Sequence, residues 1–133
     1  MAELIIKSAF HLTLDVKEIE EKYLPSFMCA VSLHIPHPTG LISYTASDIW
    51  FEASIFSVFQ KQIKSVSSKN VGFAKLSSMS DEFSIVIHRN KAELVVKEIF
   101  PNDTLSNFEF TVPIDRDQLS VISNEFEAFP TWW

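Results

Sequence analysis

The chain has 133 residues, of which 47% are hydrophobic and 21% are charged, and its formal net charge is −6. This composition predicts one globular domain over residues 1–133 and excludes a disordered chain. An acidic balance repels phosphates, so we do not expect nucleic-acid binding. With only two glycines, the chain has no material for a phosphate-cradling loop.

Strand-like alternation recurs in three segments before the first helix, at residues 10–16, 28–35 and 41–53. The charged segment 17–26 is interpreted as a connection. A turn rich in proline, at residues 36–40, separates the second strand from the third. We predict a break in the third strand near Ser47 and Asp48.

A helical repeat follows, formed by the apolar residues Ile55, Phe56, Phe59, Ile63 and Val66. Four further strand-like segments lead to a second helix, at residues 71–76, 82–88, 92–100 and 108–114. Asp115 is predicted to cap that helix, and Gln118 completes a capping box. Ile114 and Leu119 are placed as a hydrophobic staple.

Short links between the later strands predict antiparallel pairing, because parallel neighbours need long crossover connections. The predicted fold class is therefore α+β, with a single antiparallel sheet of about six or seven strands and two helices packed on one face. Twelve phenylalanines and three tryptophans indicate a core dominated by large rings.

The N-terminal residues contain no basic segment followed by a long apolar run, and no window of the sequence is apolar enough to span a bilayer. The single cysteine, Cys29, has no partner for an internal disulfide, which favours a reducing compartment. We therefore predict a cytoplasmic protein with no membrane partner.

Little in the sequence indicates catalysis or metal binding. His34 and His37 have no companion ligands and lie at a proline-rich turn, so a plain loop is favoured over a metal site. Cys29 lies in an apolar run, where a buried and inert thiol is expected. No serine stands in a glycine-flanked elbow. We predict a protein that is not an enzyme and has no cofactor or metal.

Charged residues are unevenly distributed along the chain. Residues 53–80 contain four lysines and no acidic residue: Lys61, Lys64, Lys69 and Lys75. Lysines near the end of a helix also suit the helix dipole, so they are weak evidence for a nucleic-acid site. The acidic run of Glu18, Glu20 and Glu21 is interpreted as a solvated face.

The most site-like feature is a row of acid, aromatic and acid. Asp48, Trp50 and Glu52 occupy alternate positions, which places all three on one face of a strand. An exposed edge with one half-buried ring is the commoner interpretation of such a row. Trp132 and Trp133 are rings of the kind favoured in protein interfaces, although sealing the core explains them equally well.

Three segments of the chain carry a resemblance to a known family: Trp50–Ile63 (WFEASIFSVFQKQI), Phe108–Val112 (FEFTV) and Asp115–Leu119 (DRDQL). Over residues 41–126, this order of strand, helix, strands and helix with aromatic anchors resembles the WapI-type immunity proteins of bacterial polymorphic toxin systems. The resemblance implies a cytoplasmic protein without catalysis that binds and inhibits a cognate toxin. It assigns no individual binding residue, because such families vary their binding faces.

We therefore predict a non-catalytic acidic binding protein, an immunity protein that neutralises a cognate bacterial toxin by direct binding to a protein partner such as a basic toxin domain. The candidate partner-binding residues are Asp48, Trp50, Glu52, Trp132 and Trp133. One alternative is a small-ligand-binding or enzymatic domain with an aromatic-lined pocket, in which Asp48 or His88 supplies a polar contact. A subunit or chaperone of a larger assembly is a third possibility.

Overall fold

The computed structural model describes residues 2–69 and 72–131. Within these residues the chain forms eight strands and two helices: β1 (Glu3–Lys7), β2 (His11–Glu20), β3 (Ser26–His37), β4 (Gly40–Glu52), α1 (Ala53–Lys69), β5 (Ala74–Ser77), β6 (Phe83–Ile87), β7 (Lys91–Ile99), β8 (Leu105–Pro113) and α2 (Arg116–Ala128). The chain therefore runs twice through the same order of four strands and a helix.

The strands form two antiparallel sheets. β1 to β4 pair in chain order in the first sheet, and β5 to β8 pair in chain order in the second. The predicted α+β class is confirmed, whereas the single sheet of six or seven strands is wrong. The physical reason is α1, which interrupts the run of hairpins after β4, so each group of four strands pairs within itself.

Each sheet buries one face in a common core. Alternate residues of β2, such as Leu12 and Leu14, are fully buried, and so are Ile85 and Ile87 of β6. The second sheet touches the first through Phe83, whose ring centre lies 6.5 Å from that of Tyr44. The buried faces of the two sheets therefore meet in one cluster of apolar side chains.

The two helices pack on each other and on the sheets. Both helices predicted from the sequence are present. Of the apolar repeat predicted for the first, Phe56, Phe59, Ile63 and Val66 are buried, whereas Ile55 is 41% exposed because it is offset by about 100° from its neighbour Phe56 around the helix. The buried faces of the two helices meet where the Phe59 and Phe126 rings lie 4.7 Å apart, edge to face. Helix α1 also contacts β4 and β5, while α2 contacts β1. Neither helix in the described part of the chain combines the length and apolar composition needed to cross a membrane.

The capping box of α2 is confirmed. Asp115 Oδ1 accepts a hydrogen bond from the Gln118 backbone N–H at 2.8 Å, and Gln118 Oε1 accepts one from the Asp115 N–H at 2.9 Å. The staple residues Ile114 and Leu119 are both buried. Local sequence therefore fixes where this helix begins.

Half of the segment 17–26, which was predicted to be a connection, is strand. β2 continues to Glu20 and β3 begins at Ser26, so the connection is only 21–25. The prediction is wrong here because charged side chains on an exposed strand face look like loop residues when the strand partner is unknown. β1 adds an eighth strand that the alternation pattern did not reveal.

Candidate functional site

The row of Asp48, Trp50 and Glu52 lies on the outer face of β4. The intervening residues, Ile49 and Phe51, are buried in the core, so alternation turns the other three side chains outward. Asp48 is exposed, and Trp50 and Glu52 are half-buried.

A β-bulge in β4 produces this orientation. Ala46 pairs with Val31 and Ile49 pairs with Cys29, so two residues of β4 stand opposite one residue of β3. Inward-facing positions are even-numbered before the bulge and odd-numbered after it. β4 continues through Ser47 and Asp48, where a break was predicted, and the irregularity at this point is the bulge, which turns Trp50 outward.

A second bulge lies beside the first, in β2. Val16 pairs with Cys29 and Glu18 pairs with Met28, which leaves Lys17 as the extra residue. The same change of alternation follows, so Glu18 faces outward and Ile19 packs against the core. Both bulges lie next to Cys29 of β3, so β2 and β4 change alternation at the same level, while β3 between them keeps one alternation throughout.

The bulges bring the acidic residues of two strands onto one surface. Two cross-strand rows result, and together with Asp48 they define what we call the Trp50 face: Glu18, Met28 and Trp50 in one row, and Glu20, Ser26 and Glu52 in the next. Four carboxylates from β2 and β4 therefore surround one indole ring and one thioether. The sequence alone predicts the β2 acids to be a separate solvated face, because their proximity to Trp50 depends on the strand register.

Hydrogen bonds hold this face in position. The Trp50 carbonyl accepts a bond from the Met79 N–H at 2.8 Å, which ties the end of β4 to the loop after β5. Glu52 Oε1 accepts one from Ser54 Oγ at 2.7 Å, and Glu20 Oε1 accepts one from the Lys22 N–H at 2.9 Å. Such a surface can attract and contact a basic protein; it presents exposed carboxylates and no activated nucleophile.

Other residues singled out in the sequence lie elsewhere. His34 and His37 are three positions apart on β3, which directs their side chains to opposite faces of the strand. The His34 ring nitrogens lie 3.1 Å from Ser32 Oγ and 2.8 Å from Ser43 Oγ. Among the described residues no group of histidine, cysteine and carboxylate side chains is arranged to hold a metal ion. Trp132 and Trp133 lie outside the described residues.

The aromatic-pocket alternative depends on rings that could line a cavity. Seven phenylalanines are fully buried and pack in the core: Phe10, Phe27, Phe51, Phe56, Phe59, Phe83 and Phe126. Of the two residues predicted as alternative polar contacts, Asp48 is exposed on the outer face of β4, and His88 follows β6 of the second sheet. His88 Nε2 lies 3.1 Å from Glu93 Oε1 on the neighbouring strand.

Comparison with known proteins finds no matching family model, no matching curated protein and no matching solved structure. The resemblance to WapI-type immunity proteins therefore stays a prediction from the sequence.

Proposed function

We propose that this chain is a non-catalytic immunity-type protein that neutralises a basic toxin domain by binding it through the Trp50 face. The observation that carries the proposal is the set of four carboxylates around Trp50 and Met28 on one sheet surface. The class of partner follows from charge, and its identity as a toxin follows from the family resemblance over residues 41–126.

Electrostatics supports a basic partner. A concentration of carboxylates on an acidic protein raises the rate of encounter with a cationic surface by roughly 10- to 1000-fold, depending on ionic strength. The nearest lysine of β2 reduces this field little, because the Lys17 ammonium lies 2.6 Å from the Asp15 carboxylate and is already paired. Many toxin domains that cleave nucleic acid present the basic surface that such a face fits.

The centre of the face supplies contact area. Trp50 is of the residue type that contributes most to the affinity of protein interfaces. The flexible thioether of Met28 beside it can adapt to the shape of a partner. A surrounding ring of polar groups then excludes water from the contact. Because the face is built on paired strands and not on a loop, little conformational entropy is lost on binding.

The test is a stepwise reconstitution with the partner. A tagged form of the chain should capture a basic protein from its source organism. That protein, expressed alone, should inhibit growth, and co-expression of this chain should restore growth. The dissociation constant of the purified pair should rise with salt, since exposed charges are screened within about 10 Å at 0.1 M.

Charge reversal locates the contact. Asp48→Lys with Glu52→Lys should slow association about tenfold or more and abolish protection of growth. The matched control is Glu109→Lys with Glu125→Lys, which makes the same change in net charge at exposed positions of β8 and α2. Equal effects from both pairs would show that net charge alone governs binding and would remove the Trp50 face from the proposal.

A further inference from the structure

A second surface lies at the open end of the two sheets, on the inner side of β4. Here β4 of the first sheet faces β7 and β8 of the second across a cleft of about 420 Å³. Its apolar lining residues are Tyr44 from β4, Val96 from β7 and Phe108 from β8, and its other lining residues are polar. The cleft does not include the Trp50 face, whose residues point to the opposite side of the first sheet.

The aromatic walls of the cleft are held by packing. The Tyr44 ring stacks on the Phe83 ring with an interplanar angle of 5°, and the ring centres of Phe108 and Phe110 lie 4.6 Å apart. Val96 pairs directly with Phe108 across the strands and is only 6% exposed. The site is therefore formed before any ligand arrives.

The polar groups of the cleft are acceptors of hydrogen bonds. Of the described residues that line it, Glu98 carries the one formal charge, and its cross-strand partner Ser106 supplies a hydroxyl beside it. Ser43 and Thr45 also line the cleft, but they occupy outward-facing positions of β4, where Ser43 Oγ lies 2.8 Å from His34 Nδ1. No ion pair in the described part of the chain involves Glu98. Its neighbour Lys97 points to the other face of β7, where its ammonium lies 3.6 Å from the Asp81 carboxylate.

Burial and nearby carboxylates both affect the pKa of the Tyr44 phenol. Its pKa is raised above the ordinary value, first because burial disfavours the phenolate and then because the carboxylates of Glu98 and Glu82 lie nearby. A cation placed in the cleft would therefore be attracted by two carboxylates and by the ring faces together.

We infer that this cleft binds an arginine side chain presented by a protein partner. A guanidinium is planar and weakly hydrated, so it can stack on the Tyr44 and Phe108 rings while its donors reach Glu98 and the Ser106 hydroxyl. A lysine ammonium is compact and strongly hydrated and gains less from such walls. The inference does not rest on the partner being a toxin, because the cleft is separate from the Trp50 face.

The test uses the full chain and a blocked tripeptide, acetyl-Gly-Arg-Gly-amide, followed by the amide signals of the labelled protein in NMR spectra. Saturable shifts at residues 43–45, 96–98 and 106–108 are expected, with a millimolar dissociation constant. The citrulline counterpart has nearly the same shape without the charge, so it should bind at least about fivefold more weakly.

Glu98→Gln should raise the dissociation constant of the arginine tripeptide by about threefold to fivefold. Glu109→Gln is the matched control, because it removes the same charge from β8 on the outer face of the second sheet. Equal weakening by both variants, equal binding of the citrulline peptide, or shifts spread over the molecule would overturn the inference. Tighter binding of agmatine, a free guanidinium compound, than of the tripeptide would overturn the assignment to a protein partner.

Discussion

Cys29 illustrates how the core determines the chemistry of a single side chain. It is fully buried in β3, as its apolar neighbours in the sequence predict. Burial, with a smaller contribution from the Asp15 carboxylate, raises the pKa of its thiol to about 12. Because the thiolate is the reactive form, this cysteine is chemically inert in the folded protein.

The raised pKa predicts a pH dependence of stability. The unfolded thiol titrates near 9.0 and the folded one near 12, so the folded state holds the proton more tightly. Stability is therefore intact below about pH 9 and falls as the pH rises, by about 1.4 kcal/mol per pH unit from this group. The measurement is the free energy of unfolding in urea, determined for the wild type and for Cys29→Ala at about pH 8 and about pH 10. A fall of the same size in Cys29→Ala would contradict the assignment to Cys29.

At the scale of elements, the end of α2 depends on its neighbour. The last turn contains no basic residue, and no glycine follows it. Instead, Gln60 of α1 donates hydrogen bonds from Nε2 to the carbonyls of Phe126 at 2.9 Å and Phe129 at 3.2 Å. This contact joins residues 66 and 69 positions apart, so nothing in the local sequence indicates it, whereas the start of the same helix is readable from Asp115 and Gln118.

Removing this donor should destabilise the helix pair. Gln60→Ala should lower the free energy of unfolding by about 1–2 kcal/mol, because two partly buried carbonyls each lose a hydrogen bond. Gln60→Glu keeps the shape but replaces the donor with a carboxylate, and it should cost at least as much. The control is Gln62→Ala, which removes only an exposed bond to the Lys75 N–H. Denaturant unfolding would count against this account if Gln60→Ala and Gln62→Ala were equally stable.

Individual strands and helices were predictable, but the partition of strands into sheets was not. Alternation and helical spacing are local, so β2, α1 and α2 are visible in the sequence. The pairing of strands, by contrast, depends on which apolar faces pack together in the core. One such contact is that of Phe83 with Tyr44 of the other sheet. The row of Asp48, Trp50 and Glu52 was likewise visible, whereas the contribution of β2 to the same face needed the register.

The whole molecule consists of two copies of one arrangement that share a core. Phe83 of the second copy packs on Phe51 of the first with ring centres 6.3 Å apart, and Phe126 packs on Phe56 and Phe59. Each copy therefore completes the apolar face of the other, and neither has a closed core of its own.

Residues 1–69 and 70–133 should consequently not fold when they are expressed separately. Each half would expose the apolar face that the other covers, and a chain of this size buries too little surface to compensate. Amide dispersion in NMR spectra of each half, compared with the full chain, is the measurement. A well-dispersed spectrum from either half would show two independent domains and would contradict the prediction of one domain over residues 1–133.

The two neighbouring bulges also determine how the chain tolerates changes of length. Within a regular strand, losing one residue turns every later side chain to the other face. At Lys17 or at Ser47 the lost residue is the surplus one, so deletion restores regular pairing and leaves Glu18, Trp50 and the core residues facing as they do now. The local twist relaxes, and the Trp50 face flattens without changing its composition. Single-residue deletions at these two points are thus a route by which the shape of this face can change while the core stays intact.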